Sequence, residues 1–115
     1  MNTILRTTFA FCLIFVMVSF HPIRTQIVVT VLDEVGNPVE GAKVTLYETE
    51  EDYTKEVNPA AEGITEIKGV IRIKDLKPIS YYVIVRKGDK DNSGGGEQTG
   101  KLEGNRINKV TIIIQ

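Results

Sequence analysis

From Gln26 to Gln115 the apolar residues recur at every second position, and nowhere does a helical period persist. In Gln26–Leu32, Ile27, Val29 and Val31 share one face. In Ala42–Tyr47, Ala42, Val44 and Leu46 point to one side while Lys43, Thr45 and Tyr47 point to the other. Tyr81, Val83 and Val85 alternate in the same way, and Ile71 and Ile73 alternate with Arg72 and Lys74. A period of two is the signature of strands buried on one face, and β-branched residues supply most of it. Between these runs lie turn signals. Asp33–Pro38 holds Gly36, free to take positive φ, and Pro38, which ends pairing. Lys68–Gly69 joins strands at Ile64–Ile67 and Val70–Ile73. Gly104–Asn105 precedes a last strand over Asn108–Ile114, and a short strand is expected around Lys101–Leu102. About seven short strands with intervening turns predict an all-β, seven-stranded Greek-key β-sandwich.

Two stretches interrupt the pattern. Glu48–Gly63 is polar, acidic and contains Pro59, and is predicted to be a long loop. Lys87–Gly100 includes Gly94, Gly95 and Gly96 in succession and is predicted to be a flexible Gly-rich loop, because consecutive glycines are costly to order.

The first 25 residues are of another kind. Arg6 is followed by the apolar run Phe9–Phe20, interrupted only by Ser19, and then by His21–Pro22. As a helix this run covers about 18 Å, short of the ~30 Å hydrocarbon core of a bilayer. A positive start, a short apolar centre and a polar flank predict a secretory signal peptide over residues 1–25. Thr25–Gln26 is the preferred cleavage position, and an uncleaved anchor is the alternative. Cys12 lies inside the apolar run after Phe11 and reads as a small hydrophobe, not as a lipoprotein cysteine. The expected location is secreted or periplasmic, with no stable membrane insertion once the leader is gone.

Removing Arg6 and Arg24 from the 14 basic residues leaves 12 against 15 acidic ones, a net charge of −3. Nucleic-acid binding calls for a concentrated basic patch, so this balance gives no reason to expect it. Cys12 and His21 are the chain's only cysteine and histidine, and both fall in the leader. The mature domain therefore depends on its apolar core without disulfides. It has no residues for Cys/His nucleophiles, a Ser-His-Asp triad or an ordinary zinc site, so no enzymatic activity is expected.

The spacing Val29-x-Val31-x-Asp33-x-x-Gly36-x-Pro38-Val39-x-Gly41-Ala42-x-Val44-x-Leu46 resembles the opening of carboxypeptidase regulatory-like domains. Thr65-x-x-x-Gly69-x-Ile71-x-Ile73, followed by Leu76-x-Pro78-x-x-Tyr81-x-Val83-x-Val85, resembles the middle of the same domains. The resemblance implies a prealbumin- or transthyretin-like sandwich, an architecture also found in collagen-adhesin B-type repeats and starch-binding-like domains. Fold of this kind does not carry function with it. Adhesin repeats often cross-link a first-strand Lys to a last-strand Asn. Here Gln26–Leu32 has no Lys, so Asn108 lacks that partner.

Three features could bear on binding. In Asp89-Lys-Asp91-Asn92-Ser93-Gly94, oxygen ligands at positions 1, 3 and 5 with Gly at 6 match the first half of a calcium loop. Asp89, Asp91 and Ser93 are thus candidate calcium ligands. Gly100 stands where the twelfth-position glutamate belongs, and strands flank the segment instead of helices, so an unliganded loop is the reading preferred over a calcium cofactor. Tyr47, Tyr53 and Tyr82 are expected to face outward, either as isolated aromatics on a sheet or as a stacking platform for carbohydrate. The acidic run Glu48, Glu50, Glu51 and Asp52 reads as a solvated face. The predicted function is a non-enzymatic structural or interaction module with a protein or glycan partner; the alternative is a carbohydrate- or calcium-binding accessory protein.

Overall fold

The computed structural model describes residues 24–115. The predicted leader, with Cys12 and His21, lies outside the described residues apart from Arg24 and Thr25. Among these residues eight strands and one short helix follow one another as β1 (Gln26–Leu32), β2 (Lys43–Tyr47), α1 (Glu50–Lys55), β3 (Ala61–Ile64), β4 (Val70–Ile73), β5 (Ser80–Lys87), β6 (Lys90–Asp91), β7 (Gln98–Lys101) and β8 (Ile107–Ile113). They form two sheets. One has the order β4-β1-β8; the other has the order β3-β2-β5-β6, with β7 also paired to β5. β1 and β8 run parallel in register Ile27↔Asn108 to Val31↔Ile112, and the other paired strands run antiparallel. This is an all-β sandwich, with eight strands where seven are predicted.

The alternating residues do what their spacing requires. Ile27, Val29 and Val31 of β1, Val44 and Leu46 of β2, Tyr81, Val83 and Val85 of β5, and Ile112 and Ile114 are buried together between the sheets. Ile73 and Leu102 close the ends of this core. Tyr81 can be buried among them because its hydroxyl is not abandoned: it accepts a hydrogen bond from the Lys77 amide at 3.0 Å.

The turn Asp33–Pro38 is held by the Asp33 carboxylate, which accepts from the amides of Val35 and Asn37. The chain then crosses to the second sheet, pinned by Thr65. Its hydroxyl donates to the Val39 carbonyl and accepts from the Ala42 amide at 2.9 Å. Thr65 is buried, so those two bonds satisfy groups that water cannot reach. Gly69 has φ +74°, and a Cβ there would stand 2.7 Å from the Val31 carbonyl oxygen and 2.9 Å from the Val39 nitrogen. Only glycine lets these three backbone segments meet.

Several local expectations are corrected. Within the predicted loop Glu48–Gly63 lie α1 and β3. Thr49 caps α1 by accepting the Asp52 amide at 3.1 Å, and Glu50, Glu51 and Asp52 place negative charge at its positive end. Lys55 reaches back one turn to Glu51 at 2.8 Å, and Glu56, with φ 54°, ends the helix. The strand expected over Ile64–Ile67 instead ends at Ile64, because Glu66 to Gly69 turn on a Gly69-amide to Glu66-carbonyl bond. The strand expected at Lys101–Leu102 covers Gln98–Lys101, and Leu102 drops into the core. Lys87–Gly100, predicted to be one flexible loop, contains β6 and most of β7. Among the described residues no helix is long and apolar enough to cross a membrane.

Thr25 belongs to the folded body. It is buried, its carbonyl accepts the Leu76 amide at 3.0 Å, and its hydroxyl accepts the Asn105 amide at 2.9 Å.

Candidate functional site

The outer face of the five-stranded sheet carries the side chains that the inward set leaves over. On β2 these are Lys43, Thr45 and Tyr47; on β5 they are Tyr82, Ile84 and Arg86, directly opposite in the register Lys43↔Arg86, Thr45↔Ile84 and Tyr47↔Tyr82. α1 lies across β2 and β5. Its Tyr53 inserts between the two sheet tyrosines, edge-on to Tyr47 with ring centroids 6.2 Å apart and tilted against Tyr82 at 5.5 Å. Both spacings fall in the range at which aromatic pairs attract. Tyr47 keeps its predicted outward orientation but is not exposed. It points to the outer face as its position dictates, yet is only 4% exposed, because α1 covers it. Thr45, on the same face, is also buried. Tyr53 and Tyr82 remain half-buried.

The far end of α1 is fastened to the sheet by charge. Arg86 holds Glu56 through both guanidinium nitrogens, Nη1 to Oε1 and Nη2 to Oε2 at 3.0 Å. A bidentate pair of this kind fixes direction as well as distance. The Arg86 guanidinium holds the Glu56 carboxyl below its ordinary range.

Opposite α1 stands the Gly-rich segment, ordered by one residue that the sequence reading passed over. Asn92 is 4% exposed. Its Oδ1 accepts the Val85 amide at 3.0 Å, and its Nδ2 donates to the carbonyls of Val83 at 3.0 Å and Gly96 at 3.1 Å. β6 ends at Asp91 and β7 begins at Gln98, so β5 has a gap in its strand partners at these residues. The Asn92 amide fills that gap as a strand's own peptide group would. The Val83 amide completes the repair by donating to the Glu97 carbonyl at 2.8 Å.

Between α1 and this anchored segment is an open cleft of about 570 Å³. It is lined by Tyr53, Tyr82, Glu50, Glu97, Gln98, Ser93 and Gly94 to Gly96. The volume is in the range of small-molecule sites. Burial pushes the Tyr53 phenol up, and the Glu97 carboxylate adds to the shift. Tyr53 is therefore a neutral ring with a donor, standing among acids.

The three candidate calcium ligands lie at one margin of this region. Asp89 sits in the tight β5–β6 turn beside Gly88, which has φ +61°. Asp91 is the last residue of β6, and its carboxylate accepts the Ser93 amide at 2.9 Å. Hydrogen bonding from the Ser93 hydroxyl and amide holds Asp91 below its ordinary pKa. The residue between Asp91 and Ser93 is the buried Asn92, committed to β5. Among the described residues no group of three or more His, Cys, Asp or Glu side chains gathers to hold a metal.

Asn108 does not stand idle for want of a lysine. Its Nδ2 donates to the Gln26 carbonyl at 3.0 Å and the Glu103 carbonyl at 3.1 Å, and its Oδ1 accepts the Glu103 amide at 2.8 Å.

Fold and surface together define a small two-sheet β-sandwich module with one aromatic, acidic cleft. No protein-family model matches the chain, and no curated protein matches it. Among solved structures it is similar to the crystal structure of group B streptococcus pilus 2b backbone protein, with a TM-score of 0.52 and 21% identity over 79% of this chain. The match spans 40% of that protein's chain. At this identity the likeness concerns the fold: a β-sandwich domain.

Proposed function

We propose that this chain is an exported, non-enzymatic β-sandwich module that binds a neutral glycan in the cleft between α1 and the Gly-rich segment. The observation that carries this reading is the pairing of Tyr53 and Tyr82 beside Glu50, Glu97 and Gln98 in one open cleft. Sugars present apolar C–H faces that lie well on aromatic rings, and hydroxyls that need carboxylate and amide partners. The two carboxylates disfavour an anionic sugar, since like charges repel in a partly desolvated cleft.

The likeness to a pilus backbone protein fits a structural module at a cell surface, and the apolar leader fits export to such a location. The finer relationship to carboxypeptidase regulatory-like domains is supported by what its shared residues do. Gly36, Gly41 and Gly69 all adopt positive φ, and Thr65 ties the two turns together.

Tyrosine fluorescence makes the test direct, since the chain has no Trp and Tyr53 and Tyr82 are two of its four tyrosines. A glycan array followed by fluorescence titration should yield a neutral oligosaccharide ligand. Tyr82→Ala should weaken it by roughly 1–3 kcal/mol, a normal loss for an aromatic contact in a binding site, without unfolding the protein. Failure of any neutral glycan to bind, or binding unaffected by Tyr53→Ala and Tyr82→Ala, would refute the reading. Preference for a lysine-rich peptide in the same titration would reassign the cleft to cations.

A further inference from the structure

Among the described residues the three-stranded sheet ends in a strand with no strand partner on its outer side. β8 pairs with β1 on one side and is the edge of its sheet on the other. In the parallel ladder Gln26 donates to the Arg106 carbonyl and Ile114 donates to the Leu32 carbonyl. Parallel pairing uses alternate residues, so Asn108, Val110 and Ile112 turn their backbone groups toward β1. The amides and carbonyls of Ile107, Lys109, Thr111 and Ile113 point away from it. Their side chains share the outer face of the sheet, where Ile107 is 41% and Ile113 56% exposed. The β3 and β4 edges are only four residues long, and β7 is broken by a register shift. β8 is seven residues long, with no proline, glycine or bulge, and Lys109 is its single charge. Long apolar edges of this kind are the ones that recruit another strand.

We propose that β8 pairs with β8 of a second copy of this chain, antiparallel about a two-fold axis at Val110. The strand's own sequence selects both partner and register. Centring on Val110 places Ile107 opposite Ile113 twice, joining the exposed isoleucines, and Lys109 opposite Thr111. Every outward amide and carbonyl of the strand then has a partner. Sliding the centre to Lys109 would set lysine against lysine. Sliding it to Thr111 would set Ile107 against Gln115, whose backbone already pairs with Asp91 of β6. A shift by one residue would match outward groups to groups already used by β1.

Charge supplies a second, independent support. Among the described residues neither Lys109 nor Glu34 has an ion-pair partner. Glu34 lines a cleft of about 600 Å³ beside β8, together with Thr111, Ile113 and, on its other side, Gly94 to Gly96. With Lys109 of the partner opposite Thr111, its ammonium enters the cleft that Glu34 borders, and the symmetry repeats this pair. The pairing joins the two three-stranded sheets into one; it uses β8 and Glu34, none of which lines the tyrosine cleft, while Gly94 to Gly96 border both clefts.

The test is sedimentation velocity over a concentration series, with hydrogen exchange on the same samples. A species of twice the chain mass should grow with concentration. The amides of Lys109, Thr111 and Ile113 should slow in parallel, while those of Val110 and Ile112 stay protected throughout. Lys109→Glu or Glu34→Lys should each weaken the dimer about tenfold or more, and the double variant should restore it. These are surface changes, and equal melting temperatures at dilute concentration confirm that each variant is folded. A protein monomeric up to about millimolar concentration, the limit of weak association, overturns the proposal. So does a dimer indifferent to the charge swap, or one whose odd-numbered β8 amides exchange as in the monomer.

Discussion

Replacing Asn92 by Ala should be among the most damaging single changes outside the apolar core, although the residue sits in a segment rich in glycine. The side chain makes three hydrogen bonds, and two of the partners, the Val85 amide and the Val83 carbonyl, belong to the central strand of the larger sheet. Both bonds are buried. The third partner, the Gly96 carbonyl, is only partly buried, and water can replace the lost donor there. Each buried backbone group left without a partner costs about 1–3 kcal/mol, so the variant should lose roughly 2–6 kcal/mol. For a domain of this size about 3 kcal/mol lowers the melting temperature by roughly 12–24 °C. Urea denaturation measures the first quantity and a thermal scan the second. Asn92→Asp is the informative companion, because it keeps the acceptor for Val85 and loses both donors. Its carboxylate would face two carbonyl oxygens, raising its folded pKa above the unfolded one. The variant should therefore lose stability as pH rises above the ordinary Asp range near 4. Loss below about 0.5 kcal/mol for Asn92→Ala, within the range of an ordinary surface substitution, would refute the view that this amide replaces a strand.

Three further outcomes follow from the geometry. Gly69→Ala should cost about 1–3 kcal/mol for its positive φ alone, and more for the contact its Cβ makes with the Val31 carbonyl; urea denaturation reads the loss. Glu56 is held below its ordinary pKa of 4.5 by Arg86, so its contribution is present above that value and fades as pH falls through the lower folded pKa. The protection of the Val57 amide, relative to its intrinsic exchange rate at each pH, should fall in that acid window, and Glu56→Gln should remove this pH dependence. Calcium at low micromolar concentration should leave the melting temperature unchanged, since the segment lacks a twelfth-position acid; a shift abolished by Asp89→Ala would establish a calcium site.

The sandwich is legible in the sequence because burial on one face imposes a period of two, and the inward residues of β1, β2 and β5 follow it without exception. What covers the other face is harder to read. Tyr47 obeys the alternation and points outward, yet lies buried because α1 packs over it. A six-residue helix is too short to display a helical period, and its acidic composition suggests a loop. The remaining signal is Thr49 three residues before Asp52, a cap whose side chain takes an amide of the first turn. β6 escapes notice for a related reason: two residues cannot alternate.

The cleft is half legible. Tyr53 and Tyr82 can be named from sequence as surface aromatics, but their meeting with Glu97 and Gln98 depends on the Gly-rich segment folding back, and no periodicity records that. One amide does it. Gly94, Gly95 and Gly96 let the chain turn tightly, and left alone they would leave it disordered. Asn92 removes that freedom by fixing the segment to Val83 and Val85, and so converts a sequence that reads as flexible into one wall of the cleft. Two kinds of loss should therefore be separable. Tyr82→Ala should weaken ligand binding and largely spare stability, because the ring is half-exposed and holds no strand in place. Asn92→Ala should remove both, because the wall and the strand share the same three hydrogen bonds. If Asn92→Ala lowered stability while glycan affinity stayed intact below the melting transition, the Gly-rich segment would not be the wall that holds the ligand, and the site would lie on α1 and the sheet alone.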